Sequence, residues 1–411
     1  MLIETPESHY DLVVVGGGMV GASFACALCK AVENNSLSIL IVEAVPLSVN
    51  LSQQPSFDAR STALSHGSHR IYEQMGLWSQ LAGRVTPIKE IHVSDRGRFG
   101  STHLVHSEHN VEALGYVVEN QWLGEVLNEA MAASARINLL APAKVNQASP
   151  LATGMQLQIE SGGNNFSVDT SLLVLADGGK SPICSQLGIE QSISDYQQHA
   201  LIANIAFEKP HNNVAFERFT DTGPLAVLPL GSFESENRGS LVWTVSAGQS
   251  ADLLALEPGA LLELLMERFG NRLGRITHTG ERFCYPLTLS VAKEQIRPGL
   301  VLLGNVAHTL HPVAGQGLNL ALRDTAVLVE RLQLANERGG PLGDMAVLQD
   351  YLDNQDFDQR RTIRFTDQLT RLFSSNRQVS VVARKLGLLS IDLMPSIKHE
   401  FAEQAMGLGA K

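Results

Sequence analysis

The sequence predicts an α/β protein in which a parallel-sheet domain is interrupted by an antiparallel sheet and followed by a helical tail. Three observations carry this reading. A strand, a glycine loop, a helix and a second strand follow one another within the first 43 residues. Short alternating segments then fill residues 186–285. Finally, an apolar strand returns at Leu300-Val301-Leu302-Leu303, ahead of another glycine-rich loop and a helix.

Each element has its own signal. Tyr10-Asp11-Leu12-Val13-Val14-Val15 is a β-branched run of the kind buried on both faces of a parallel sheet. Residues 19–31 are small and apolar and read as a helix, and Ser38-Ile39-Leu40-Ile41-Val42-Glu43 reads as a second buried strand, completing a βαβ unit. In the middle, segments 201–207, 225–229 and 239–245 alternate between polar turns, the mark of antiparallel sheet. The helix expected at about 318–335 belongs to the first domain, which resumes after the insertion. Glu337-Arg338-Gly339-Gly340-Pro341 is a break. Beyond it Phe365, Leu369, Leu372 and Phe373 recur at i, i+4, i+7 and i+8, on one helix face.

Composition bounds the function. The chain has 411 residues, 44% hydrophobic and 18% charged, which is globular and enough for roughly two or three domains. A net charge of -11 argues against binding phosphate backbones, so no nucleic-acid partner is expected. No run approaches the ~20 apolar residues of a membrane span, and the acidic start MLIETPESHYD lacks the basic region of a secretory signal. Cys26, Cys29, Cys184 and Cys284 are too few and scattered for a disulfide framework. The expectation is an intracellular enzyme. Its charge is uneven: residues 360–411 hold nine Lys/Arg against four Asp/Glu, a net of +5, which leaves -16 on the rest.

Gly16-Gly17-Gly18-Met19-Val20-Gly21 matches G-x-G-x-x-G in its required context of strand before and helix after. Gly16 suits the tight turn, Gly18 the approach of a pyrophosphate, and Gly21 close packing of helix on strand. The phosphates would face the helix N-terminus. Glu43, 22 residues after Gly21, suits an adenosine ribose and would repel a 2′-phosphate. The loop predicts a dinucleotide and leaves FAD and NAD both open.

Further segments carry a resemblance. Phe57-Asp58-Ala59-Arg60-Ser61-Thr62-Ala63-Leu64, Leu173-Val174-Leu175-Ala176-Asp177-Gly178-Gly179-Lys180-Ser181 and the run from Gly304-Asn305 through His308, His311 and Pro312 to Val313-Ala314-Gly315-Gln316-Gly317-Leu318-Asn319 stand in this order. Together they resemble the group A flavoprotein aromatic hydroxylases, whose fold is that of para-hydroxybenzoate hydroxylase. Val93-Ser94-Asp95-Arg96-Gly97, Ala215-Phe216-Glu217-Arg218-Phe219-Thr220, Gly223-Pro224-Leu225-Ala226 and Arg272-Leu273-Gly274-Arg275-Ile276-Thr277-His278 narrow the resemblance. They are similar to the ubiquinone-biosynthesis hydroxylases, nearest to members acting on a 2-polyprenyl-6-methoxyphenol. The similarity runs over nearly the whole chain.

The resemblance implies a Rossmann-type FAD-binding domain at 1–80, 106–185 and 286–340, a substrate domain at 81–105 and 186–285, and a helical tail at 341–411. It implies FAD held by Gly16, Gly18, Met19, Val20 and Gly21, with Glu43 on the adenosine ribose, Arg60 near the flavin, and Gln121 and Val145 among the FAD contacts. Asp177-Gly178 would serve both FAD and the reduced nicotinamide. Gly315, Gln316, Gly317, Leu318 and Asn319 would offer backbone N–H groups to the flavin ring, and Pro312 and Gly315 would lie nearest its reacting edge. The family's usual Gly-Asp is Gly304-Asn305 here; Asn keeps an acceptor and adds a donor, so binding should survive. The implied activity is ring hydroxylation of a polyprenylated phenol with NAD(P)H and O2, by way of a flavin C4a-hydroperoxide. Alternatives are a flavin reductase or dehydrogenase acting on a lipid, and a non-catalytic flavoprotein scaffold.

Plainer readings stand beside these. Cys26 and Cys29 have a C-x-x-C spacing but lie inside a helix and suit a core. His308 and His311 lie in a loop the family gives to FAD, and no metal is expected. His66 and His69 read as surface or helix residues. Arg218 suits either the substrate side of the sheet or an ordinary exposed strand position. The basic tail suits an anionic membrane surface, partner proteins of quinone biosynthesis, or a helical cap on the flavin domain. The expected location is cytoplasmic, with contact at the inner face of the membrane, and oligomerisation is left open.

Overall fold

The computed structural model describes residues 1–32, 37–46, 60–96, 101–311, 315–374 and 395–408. The chain opens with β1 (His9–Val15), α1 (Met19–Ala31) and β2 (Ile39–Val42). β1 and β2 run parallel, with Val13 beside Leu40 and Val15 beside Val42. The apolar run leaves no side of β2 polar, and all four of its residues are buried. Glu43 falls just past the strand end rather than inside it.

Next come β3 (Ser61–Ser65), α2 (His66–Gln74), α3 (Trp78–Leu81), β4 (Val85–Ile88), β5 (Glu90–Asp95), β6 (Ser101–Val105) and β7 (Gly115–Glu119). β3, β7 and β4 form a small antiparallel sheet, whereas β5 and β6 leave it for a larger one. α4 (Asn120–Ala133), β8 (Ile137–Leu140), β9 (Ala143–Pro150), β10 (Met155–Ser161) and β11 (Asn164–Leu175) return to β1 and β2. β11 pairs parallel with β1, Val174 beside Val14. α5 (Pro182–Gln186) follows, capped by Ser181.

The insertion is antiparallel in its main part. β12 (Gln191–Phe207), β13 (Val214–Phe219), β14 (Pro224–Phe233) and β15 (Glu236–Ser246) come first. α6 (Ser250–Ala255), α7 (Pro258–Phe269), β16 (Ile276–Thr279) and β17 (Phe283–Ala292) follow. With β5 and β6 these strands make most of a nine-stranded sheet, which β13 joins to β5 in parallel. α7 covers one face through Leu261, Leu265 and Phe269, which pack with Leu201, Leu225 and Trp243. β18 (Ile296–Arg297), β19 (Leu300–Leu302) and β20 (His308–Thr309) lead to α8 (Gln316–Glu337), α9 (Met345–Ser374) and α10 (Pro395–Ala405). β19 completes the parallel sheet beside β11, Val301 against Val174.

α9 departs from its apolar pattern. Phe365 and Leu369 are only half-buried, and the side chains at 372 and 373 lie outside the described residues. The buried stripe opens with Leu348 and Tyr351 and is polar beyond them: Gln355, Gln359, Thr362, Thr366 and Thr370. Such a stripe can be buried because most of its groups find partners. Thr366 and Thr370 donate to the carbonyls of Thr362 and Thr366 (2.9 and 2.8 Å), and Gln359 donates to Asp324 at 3.0 Å.

The described part of the tail packs back on the body. α10 sets Ala402 and Met406 against Leu104 and Leu114, and Phe401 against Phe365. Lys398 of α10 pairs with Glu108 at 2.8 Å, whereas Arg360 and Arg371 pair with acids one turn away on α9 itself, Asp356 at 2.7 Å and Asp367 at 2.8 Å. Over these residues the tail is a helical cap.

Candidate functional site

Three loops converge on the start of α1. Gly16 has φ +103, and a Cβ there would lie 2.5 Å from the carbonyl oxygen of Ala176. A Cβ on Gly21 would lie 2.0 Å from the carbonyl oxygen of Gly16. No side chain fits either place, so the turn depends on glycine. Gly18 caps the helix without any side-chain hydrogen bond, leaving the backbone N–H groups at Met19 and Val20 to an outside acceptor. These donors and the positive end of the helix dipole suit an anion.

Glu43 is tied to this turn. Its Oε2 accepts from the Gly17 N–H at 2.7 Å and its Oε1 from the Val45 N–H at 2.8 Å. A carboxylate oxygen accepts about two hydrogen bonds, so each keeps a site for a ribose hydroxyl. β9 starts beside it, where the Ala143 N–H donates to the Glu43 carbonyl at 2.8 Å. Val145, on β9, is half-buried against the apolar cluster of β10 and β11.

The second loop, after β11, meets the first at Gly16. Asp177 Oδ1 is buried with no protein partner, and burial raises the carboxyl's pKa. Gly178 has φ +95 and open space where its Cβ would be. The third loop meets the first at Gly304, where a Cβ would touch Val20 at 3.1 Å. It also meets the second, since Thr309 Oγ1, which donates to the Asn305 carbonyl at 2.9 Å, lies 3.0 Å from where a Gly179 Cβ would be. The Asn305 side chain is exposed.

α8 begins at Gly315, in the left-handed region at φ +62 and again without a side-chain cap. The helix itself offers no acceptor to the first-turn N–H groups at Gly317 and Leu318. Gly317 faces open space. The Asn319 side chain serves a different purpose: it donates to the Gly315 and Ala63 carbonyls (2.6 and 2.9 Å) and accepts from Ser65 N–H and Ser68 Oγ (2.8 and 2.7 Å). It locks β3 and α2 onto the start of α8. Pro312, with 313 and 314, and positions 57–59 of the earlier motif lie outside the described residues.

Arg60 leaves β3 with its guanidinium 4.7 Å above the Tyr285 ring. Its carbonyl accepts from the Asn120 N–H at the start of α4, next to Gln121. Gln121 donates to Glu119 at 3.5 Å, and Glu119 pairs with Arg238 at 2.7 Å. Arg60 and Tyr285 thus link the small sheet to the large one.

Side-chain alternation along β13 assigns its faces. Arg218 donates to the Phe269 carbonyl at 2.8 Å and Phe216 packs on Phe269, so both face α7. Ala215, Glu217 and Phe219 point the other way. On that face Ala215 packs with Val117 and Ala63, and Phe219 with Val93 and Leu369 of α9. Ala63 in turn lies 3.2 Å from where a Gly315 Cβ would be. The inner face of the large sheet therefore adjoins the α8 loop, and Glu217 sits on it.

Further residues escape any sequence motif. His308 Nε2 meets Asp324 Oδ2 at 2.5 Å in the core, and Asp324 Oδ1 accepts from Gln359. Strand alternation would have placed Glu217 opposite Arg218, but nothing local pairs Asp324 with His308. His66 and His69 lie on α2, where His69 is buried against Trp78 and Tyr116. Cys26 and Cys29 are free thiols on α1, both pushed up by burial, Cys26 to about 12. Among the described residues no group of three or more His, Cys, Asp or Glu could hold a metal.

Known proteins share this architecture. A family model described as "FAD binding domain" matches residues 9–345. The chain is 34% identical over 397 residues to the ubiquinone hydroxylase UbiL of Rhodospirillum rubrum, covering 97% of this chain and 89% of that protein. It is 28% identical over 402 residues to the 3-demethoxyubiquinol 3-hydroxylase of Escherichia coli, covering 97% and 98%. Among solved structures, p-nitrophenol 4-monooxygenase PnpA of Pseudomonas putida has a similar fold, with a TM-score of 0.77 at 15% identity over 98% of this chain and 100% of that one.

Proposed function

Since the chain belongs to the FAD-binding-domain family, among the ubiquinone-biosynthesis hydroxylases, we propose that it hydroxylates the ring of a polyprenyl (methoxy)phenol, with NAD(P)H and O2 as co-substrates. The observation that carries this reading is the meeting of three glycine-bearing loops at the uncapped start of α1. The orphaned Asp177 Oδ1 and the open space at Gly178 and Gly317 fit a dinucleotide lying across them.

The backbone N–H groups at the start of α1 would hold the pyrophosphate, and Glu43, held by Gly17 and Val45, would take the adenosine ribose. Asp177 Oδ1 would accept a hydroxyl that the protein does not supply. FAD, when bound, supplies hydride acceptance and oxygen activation. The N–H groups at 317 and 318 would stabilise negative charge on the reduced ring, as an oxyanion hole does. Ala215, Phe219, Val93 and Leu369 would keep the reacting edge dry.

FAD-loaded protein should consume O2 and oxidise NAD(P)H faster when a prenylated methoxyphenol is added, and should stop without oxygen. Turnover of the phenol under anaerobic conditions would overturn the reading. The quinone precursor that accumulates in a strain lacking the gene identifies the ring carbon.

A further inference from the structure

Glu217 is an acid in an apolar place. Its partners in register are Val93 on β5 and Ala226 on β14, and its neighbours on the same face of β13 are Ala215 and Phe219. Neither adjacent strand offers it a donor in register. Among the described residues it has no hydrogen-bond or ion-pair partner. It is only half-buried by area, yet protein surrounds it closely enough that burial alone pushes its carboxyl up to about 7. It stands on the same face of β13 as Ala215, whose neighbour Ala63 lies beside the Gly315 turn.

Most of the surrounding charges are turned elsewhere. His92 and Arg218 point to the opposite face, toward Phe216 and α7. Asp95 stands on the same face one rung along, in register with Phe219, and its like charge adds no donor to Glu217. On α9, Asp367 takes a hydrogen bond from Tyr196 at 2.8 Å and pairs with Arg371. On β15, Arg238 is held by Glu119. On β3 and β17, Arg60 lies over Tyr285.

We propose that Glu217 is the general base of the hydroxylation, accepting the phenolic proton of the substrate as oxygen is transferred. The inference rests on the reading of the substrate as a phenol. The phenol O–H bond breaks, its proton passes to a Glu217 carboxylate oxygen, and the electron pair stays on the phenolate, enriching the ring carbon. That carbon forms a C–O bond to one atom of O2, whose O–O bond breaks with the two electrons of NAD(P)H, and the other atom leaves as water. That carbon then loses its hydrogen to solvent as a proton. Glu217 returns its own proton to the phenolate oxygen, so the product leaves as a neutral diphenol and the carboxylate is restored. A carboxylate poised near neutral pH suits this exchange.

The test compares wild type, Glu217→Gln and Glu217→Asp, all FAD-loaded, with a prenylated methoxyphenol. Wild-type product yield per NAD(P)H oxidised should be lost as pH falls through about 7. In Glu217→Gln that limb should vanish and the single-turnover hydroxylation rate should fall about 10²-fold at pH 7.5. Hydrogen peroxide should replace the missing product, and the rate should recover at high pH as the phenol ionises unaided. Glu217→Asp should restore part of the rate. A carboxylic C=O infrared band titrating near pH 7 without substrate should be absent from Glu217→Gln. An unchanged pH limb and yield in Glu217→Gln would overturn the inference alone. A wild type whose oxygen uptake ignores every phenol would overturn the functional reading, and this inference with it.

Discussion

At Gly21 one methyl group decides whether the phosphate turn can close. A Cβ there meets a backbone carbonyl, not a side chain that could swing away. Gly21→Ala should therefore bind FAD at least about tenfold more weakly, equivalent to about 1.4 kcal/mol, read as flavin absorbance per protein after dialysis. Wild-type flavin content in this variant would show that the turn is not the cofactor's seat. Glu217 predicts a pH-dependent stability. Its folded pKa lies above the usual value of about 4.5, so the folded state binds more protons between pH 4.5 and 7, and stability falls as pH rises through that window. Replacing it by Gln should remove that loss. The variant should gain about 1–3 kcal/mol on wild type at pH 8, the gap closing below pH 4.5, in urea unfolding of the FAD-loaded proteins. The glycines and Glu43 were legible because their spacing and strand context are local. Glu217 was not: in sequence, an acid beside an arginine on an alternating strand looks like any solvated pair.

The helices repeat that lesson one level up. α1, β2 and α8 follow their apolar patterns closely, because each packs on a continuous core. α9 does not, because the polar part of its buried stripe is satisfied by Asp324 on α8, by Gln295 and by carbonyls of α9 itself. Asp324 sits between His308 and Gln359 within that contact. Asp324→Ala would leave the buried His308 Nε2 without its partner and Gln359 with Gln295 alone, and should cost about 3 kcal/mol, read as a lower urea midpoint. A loss under about 0.5 kcal/mol would mean the network is not structural. The tail offers a sharper test. The Gly67 N–H donates to the Met406 carbonyl at 2.8 Å, and a Cβ on Gly67 would lie 2.5 Å from the Gly407 carbonyl oxygen. Gly67→Ala should unseat α10 and speed tryptic cleavage after Lys398 by about tenfold or more. An unchanged rate would show that the seat tolerates the methyl.

Across the whole molecule, the division between an acidic body and a basic tail takes on a structural meaning. Lys398 pairs with Glu108 of the body, while Arg360 and Arg371 pair with acids one turn away on α9, so part of the +5 is neutralised within the protein itself. No described helix is long and apolar enough to cross a membrane. The two large sheets were legible as classes, parallel and antiparallel. The junction of the antiparallel sheet with the small sheet and the α8 loop, at Ala63, Ala215 and Gly315, was not, since those residues are far apart in the chain and small enough to carry no pattern. That junction is where a flavin edge and a phenol would come together. Supplying 18O2 to FAD-loaded protein with NAD(P)H and a prenylated methoxyphenol, and weighing the product by mass spectrometry, tests the account most directly. A hydroxylated ring carrying one 18O atom is the result it predicts. An unlabelled hydroxyl, or the same product formed without O2, would contradict it.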